Sequence, residues 1–232
     1  MHVMTAFTGD APKPELPLSD FAALLHAFWD AGDNPFAQRR EEDRRALDFL
    51  EVSGTHLPHQ DAIYRRSRES GQWLYPDHPA VFGQVAPEEA ATLPQALAQE
   101  IAPLCGPPGG TVLHAPLGIG GHVDHQLLRA AALSLQEAGY PLRFYEDFPY
   151  SEESGELEAA LAGLPSLRPV FTTYGEDVLL VRLEAMALYR SQLGAVFGDE
   201  GRMRDLTRTH AAKLAQASGA ALPYAEREWV LA

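Results

Sequence analysis

Thr111-Val112-Leu113-His114-Ala115, continued by Pro116-Leu117-Gly118-Ile119-Gly120-Gly121 and then by His122-Val123-Asp124-His125, is the stretch on which the fold turns. Its first five residues have the apolar character of a strand buried in a parallel sheet. The glycines allow a tight loop, and Leu127, Leu128, Ala131, Ala132 and Leu135 then recur at helical spacing. Strand, glycine loop and helix start in that order make one βα unit. In open α/β sheets ligands collect at the carboxyl ends of strands, where this loop would sit.

The pattern repeats outward. Downstream, Pro141 to Tyr145 reads as the next strand, followed by the acidic loop Glu146-Asp147-Phe148-Pro149-Tyr150-Ser151. Arg168 to Tyr174 and Val178 to Leu183 read as two β-prone runs forming a hairpin around Gly175-Glu176-Asp177. Helices follow from Glu184 to Phe197 and from Met203 to Ala217, with a tail Tyr224-Ala225-Glu226-Arg227-Glu228-Trp229. Upstream, His2 to Thr8 is β-prone, and a proline-spaced loop runs through Pro12, Pro14 and Pro17. Ser19 or Asp20 caps a helix through Phe21, Leu24, Leu25 and Phe28. Asn34-Pro35 precedes a second helix from Ala37 to Leu50, with Ala46, Leu47 and Leu50 facing inward. Val52 to Leu57 reads as a strand, Pro58 to Pro87 as a long irregular segment of the kind that usually serves function, and Pro87 to Leu104 as one helix. The expectation is an α/β fold, Rossmann-like, with a mainly parallel sheet and helices on both faces.

Composition limits the function classes. The 232 residues, 46% of them hydrophobic, suffice for a single domain spanning 1–232. A formal net charge of -14 repels phosphate backbones and anionic lipid, which argues against nucleic-acid binding. With one cysteine, Cys105, neither an intrachain disulfide nor a cysteine-rich zinc cluster can form, and the cytoplasm is the expected compartment. No apolar run approaches the roughly 20 residues of a membrane span, and no secretory leader is legible at the start. Self-association is left open.

Two imidazoles flanking a carboxylate offer a metal ligand, a proton carrier and an orienting partner, and the spacing His122-x-x-His125 brings the rings together on a first helical turn. From spacing alone, the alternative that these are solvated helix-start residues, with Asp124 complementing the dipole, stays open. A dinucleotide loop lacks its third glycine. His56-Leu57-Pro58-His59 is divided by a proline, so surface or loop histidines are expected there. The charges from Arg39 to Arg45 read as a solvated, self-paired helix face. No nucleophile elbow is present.

Several segments together resemble the PIG-L/LmbE-like metal-dependent N-deacetylases. His122-Val123-Asp124-His125 is similar to the family's His-Pro-Asp-His motif with valine for proline. Arg39-Arg40-Glu41-Glu42 with Ala46-Leu47 resembles its Arg-x-x-Glu helix, and Asp61 the polar residue of the following loop. Phe144 to Tyr150, Tyr189-Arg190-Ser191-Gln192 and Tyr224 to Arg227 resemble later signatures of one bacterial branch. The family's opening motif, His-Pro-Asp-Asp after a first strand, has no counterpart. His2 to Thr5 resembles the second strand, so the resemblance implies that the first strand and helix are missing.

What the resemblance implies is a hydrolase that removes an acetyl group from the amide nitrogen of an N-acetylglucosamine-like substrate with Zn²⁺. His125 would be a metal ligand, with two more from the missing motif. His122 would stabilise the oxyanion or protonate the amine, Asp124 would hold the His122 ring, and Arg39 and Asp61 would contact substrate. The rival expectation is an inactive protein of the same fold that binds a sugar or a partner.

Overall fold

The computed structural model describes residues 1–13, 17–29, 34–164 and 166–232. Pro14 of the proline-spaced loop lies outside them. The chain forms two compact units, one of Met1–His78 with Thr173–Tyr224, the other of Pro79–Thr172 with Ala225–Ala232.

In the first unit β1 (His2–Thr5) pairs in parallel with β2 (Ser53–His56), His2 opposite Ser53 and Thr5 opposite His56. Between them come α1 (Asp20–Trp29) and α2 (Pro35–Phe49). Ser19 Oγ accepts the Ala22 amide at 3.0 Å, and Asn34 Oδ1 accepts the Ala37 amide at 3.3 Å with Pro35 in the first turn. These caps satisfy amide groups that a helix start leaves orphaned. Along α2, Phe36, Ala46 and Leu47 are buried, whereas Leu50 is 37% exposed and does not face inward.

The expected strand from Val178 to Leu183 is a helix. Toward the end of the chain, α8 spans Glu176–Ala187, followed by α9 (Arg190–Phe197) and α10 (Glu200–Ser218). The run opens on four consecutive apolar residues, Val178 to Val181, which hid its period. Leu179 and Leu183 are buried one turn apart while Val178, Leu180 and Val181 are each more than 45% exposed, which is helical and not alternating burial. Glu176 and Asp177 in the first turn suit the helix dipole. Tyr174, Leu179, Leu183, Met203, Ala211 and Tyr224 form a buried apolar cluster in this unit.

The second unit contains α4 (Pro87–Ala90), α5 (Leu93–Ile101), β3 (Leu113–Pro116), α6 (Val123–Glu137), β4 (Leu142–Tyr145), α7 (Glu156–Ala162), most of β5 (Leu167–Tyr174) and β6 (Tyr224–Leu231); the short α3 (His78–Val81) precedes it. The single helix expected from Pro87 to Leu104 is interrupted after Ala90, and the supposed tail from Tyr224 is a strand. The sheet order is β3-β4-β6-β5. β3 and β4 are parallel, Leu113 opposite Leu142 and Pro116 opposite Tyr145, while β6 runs antiparallel to β4. The α/β class holds, with the antiparallel β6 making this sheet mixed. Val123, Leu127, Ala131 and Leu135, at a spacing of four, are the buried stripe of α6. A buried leucine of this kind contributes about 1.5–3 kcal/mol relative to an exposed one.

Candidate active site

The parallel register of β3 and β4 makes both strands leave the sheet at the same end, so the loop after Pro116 meets the loop after Tyr145. In the first loop Gly118 and Gly120 each have φ of +81°, a conformation that side chains resist. A Cβ on Gly120 would come within 2.8 Å of the Tyr150 ring, so glycine also makes room for that aromatic wall. In the second loop Asp147, 4% exposed, accepts the Gly118 amide at 2.7 Å and the Ile119 amide at 2.9 Å on one oxygen. Its other oxygen lies 2.6 Å from His125 Nδ1.

His122 caps α6, its Nδ1 accepting the Asp124 backbone amide at 3.2 Å. The ring centroids of His122 and His125 are 5.2 Å apart. Phe82 meets the His122 ring edge-on at 5.1 Å, and Tyr150 lies 5.7 Å from Phe82. Burial raises the Tyr150 phenol above its usual pKa and so keeps it neutral. A cleft of about 180 Å³ against the glycine loop is lined by Gly118, Gly120, Gly121, Gln126 and Arg129, among others. A larger hollow of about 870 Å³ at the end of α10 is lined by none of His122, Asp124, His125, Arg39 and Asp61. His122, Asp124 and His125 are thus brought together as their spacing implied. The hydrogen bond at His122 Nδ1 comes from the backbone of Asp124, whose carboxyl group is itself buried.

Arg39 and Asp61 meet in the first unit. Arg39 Nη1 is 4.0 Å from Asp61 Oδ2, and its guanidinium lies 4.0 Å from the centre of the Trp29 ring and 4.6 Å from that of Phe36. Such stacking leaves guanidinium edges for further hydrogen bonds. Asp61 Oδ1 accepts the Ile63 amide at 3.2 Å, which fixes the carboxylate at the start of a short 3₁₀ turn, Ala62–Tyr64.

The charged start of α2 departs from the solvated face expected of it. Arg44 with Glu41 and Asp48, and Arg45 with Glu41, do pair on the surface. Glu42 and Asp43, however, are 5% and 8% exposed. Glu42 accepts the Ser191 amide and hydroxyl at 3.0 and 2.6 Å. Asp43 accepts Tyr189 Oη at 2.5 Å and Thr5 Oγ1 at 3.2 Å, and lies 2.7 Å from His56 Nε2. His56 therefore closes β2 in a half-buried pair and is not a loop histidine.

The role of Asp147 is not legible as such in the sequence, where the residue stands in the acidic loop and in the Phe144 to Tyr150 segment without a role of its own. The signal that locates it is positional: it lies two residues beyond the end of β4, opposite Gly118, two residues beyond the end of β3.

No family model matches the chain. It is 32% identical over 171 residues to 2'-N-acetylparomamine deacetylase of Niallia circulans, a match covering 72% of this chain and 58% of that protein. A protein of the same name from Streptomyces fradiae is 31% identical over 110 residues, covering 46% of this chain and 39% of that protein. The matched part of the chain therefore spans 58% and 39% of these two relatives. Among solved structures, the zinc-inhibited form of teicoplanin deacetylase Orf2 superposes with a TM-score of 0.80 at 27% identity, over 98% of this chain and 85% of that one. The chain's homologues are deacetylases of the LmbE/PIG-L-like family, so the resemblance read from the motifs holds.

Proposed function

We propose that this chain carries the core of a cytoplasmic Zn²⁺-dependent N-deacetylase that releases acetate from the amide nitrogen of an N-acetylglucosamine-like amino sugar. The observation that carries the reading is the pair of imidazoles at the start of α6, whose hydrogen bonds favour opposite tautomers. His122 accepts at Nδ1 and so carries its hydrogen on Nε2, while His125 donates from Nδ1 to Asp147 and so carries its lone pair on Nε2. A donor and a lone-pair nitrogen with rings 5.2 Å apart suit an amide carbonyl and the metal ion that would polarise it beside the attacking water. The names of the relatives support the substrate class.

His125, oriented by a carboxylate, has the chemistry of a metal ligand. Among the described residues no group of three or more His, Cys, Asp or Glu side chains is placed to hold a metal ion, so His125 stands as one ligand of a shell that they do not complete. When bound, Zn²⁺ supplies carbonyl polarisation and a more acidic water. In the net reaction the water oxygen bonds to the carbonyl carbon, the carbon–nitrogen bond breaks, one water proton passes to the nitrogen, which leaves as the amine, and the acyl group leaves as acetate with release of the other proton. The His122 Nε2–H stabilises the oxyanion in this sequence. Asp124 completes the first turn that holds that ring. Arg39 donates to substrate hydroxyls and Asp61 accepts from them.

The incomplete donor set favours one second reading, an inactive protein that binds a sugar. Amine release from a series of N-acetylated amino sugars, with Zn²⁺ added, separates the two. Turnover that disappears in His125→Ala supports the deacetylase, and sugar binding without release of any amine sinks it.

A further inference from the structure

We infer that Asp147 is the positioning residue of this site, fixing the His125 ring so that Nε2 carries its lone pair. The inference deepens the proposed function, resting on the reading that His125 works through Nε2. Asp147 is buried at the exit of β4, and one of its oxygens is occupied by two donors that can only donate, the backbone amides of Gly118 and Ile119. The positive φ of Gly118 lets both amides converge on one oxygen, a small anion-holding nest of backbone. The carboxylate plane is thereby set by the β3 loop, and its second oxygen lies 2.6 Å from His125 Nδ1. An ionised carboxylate has no hydrogen to give, so the hydrogen in that contact belongs to Nδ1.

The anchor extends one residue further. Glu146 Oε1 accepts Arg227 Nε at 2.5 Å and Trp229 Nε1 at 2.8 Å, both from β6, so the backbone entering Asp147 is pinned by the neighbouring strand. A single buried carboxylate therefore joins the glycine loop, the end of β4 and the first turn of α6 to the orientation of one imidazole. Carboxylates that hold metal-binding histidines in this way change metal affinity by about 10- to 100-fold when altered.

The test is nitrogen NMR of the whole chain without substrate, with His125 assigned by its signals being lost in His125→Gln. The expected result is an Nδ1–H tautomer whose proton is protected from solvent exchange, and Asp147→Asn, which turns an amide NH₂ toward Nδ1, moves the hydrogen to Nε2. Titration with Zn²⁺ alone is expected to show about a 10- to 100-fold weaker affinity in Asp147→Asn. An Nε2–H tautomer in the unaltered chain, a rapidly exchanging Nδ1 proton, or an Asp147→Asn chain that keeps the original tautomer overturns the inference. Should Asp147→Asn not fold, tautomer and proton protection in the unaltered chain decide alone. Because these readouts need no turnover, they stand apart from any failure of the deacetylase reading.

Discussion

Each unit holds a buried aspartate against a histidine, and the two pairs differ in the nitrogen that is engaged. Asp43 meets His56 through Nε2, the tip of the ring, at 2.7 Å, and fills its remaining capacity with the hydroxyls of Thr5 and Tyr189. Asp147 meets His125 through Nδ1, the nitrogen nearest the backbone, at 2.6 Å, and fills its remaining capacity with backbone amides. In the first pair the reaching end of the imidazole is used to tie α2 to β2, and α9 is tied in through Tyr189. In the second it is the rooted end that is held, and the far nitrogen keeps its lone pair. One arrangement is a clasp and the other is the proposed site, although both read in sequence as a histidine in a His-x-x-His.

The largest consequence of this difference falls on His125. Replacing it with alanine is expected to lower amide hydrolysis by about 10²- to 10⁴-fold with little change in melting temperature, since its side chain is 35% exposed. His56→Ala is expected to do the reverse. It leaves Asp43 buried without its imidazole, costing about 1–3 kcal/mol, while turnover per folded molecule stays close to that of the unaltered chain. Denaturant titration and rate measurement on both variants check the contrast, and a His56→Ala loss of rate matching that of His125→Ala would erase it. Tyr189→Phe sharpens the comparison. It removes one donor to Asp43, and burial together with that carboxylate holds the Tyr189 phenol well above its ordinary pKa. A loss of about 1 kcal/mol in stability, with no change in rate, is expected.

Much of the second unit was legible because its evidence is local. The glycine loop and the helical spacing from His122 to Leu135 lie within a few residues of each other, and periodicity is a local signal. Asp147 was harder because its meaning depends on the β3–β4 register, which brings together residues 28 and 29 positions apart. Glu42 and Asp43 were misread for the same reason. Their neighbours Glu41, Arg44 and Arg45 do pair locally, whereas Ser191 and Tyr189 arrive from 149 and 146 positions away. The run from Val178 to Leu183 reads as a strand because its first four residues, all apolar, fit either period, and only the burial of Leu179 and Leu183 settles it. β6 pairs antiparallel with β4 across more than 80 residues, so nothing near Tyr224 announced a strand.

The smallest expected effect belongs to a carboxylate that is neither clasp nor site. Glu176 receives Arg208 Nη2 on one oxygen at 2.6 Å, and Arg208 Nη1 and the Tyr224 hydroxyl, both at 2.7 Å, on the other. These hydrogen bonds, Arg208 first and Tyr224 second, favour the charged form and pull its pKa from 4.5 down to about 2. A folded-state pKa below the unfolded one means that the unfolded chain binds the proton more readily. The contribution is therefore fully present above about pH 4.5 and is lost as the pH falls toward 2. The group is half exposed, so salt screens the charged part and the gain is modest. Glu176→Gln is expected to leave stability near neutral pH slightly lower and to flatten the fall between pH 4.5 and 2, with the difference shrinking in high salt. Thermal melts across that range at two ionic strengths measure it. A variant whose acid limb parallels that of the unaltered chain would show that the Arg208–Glu176–Tyr224 contact does not persist in solution, and would leave the two buried aspartate–histidine pairs as the carboxylate interactions that distinguish the units.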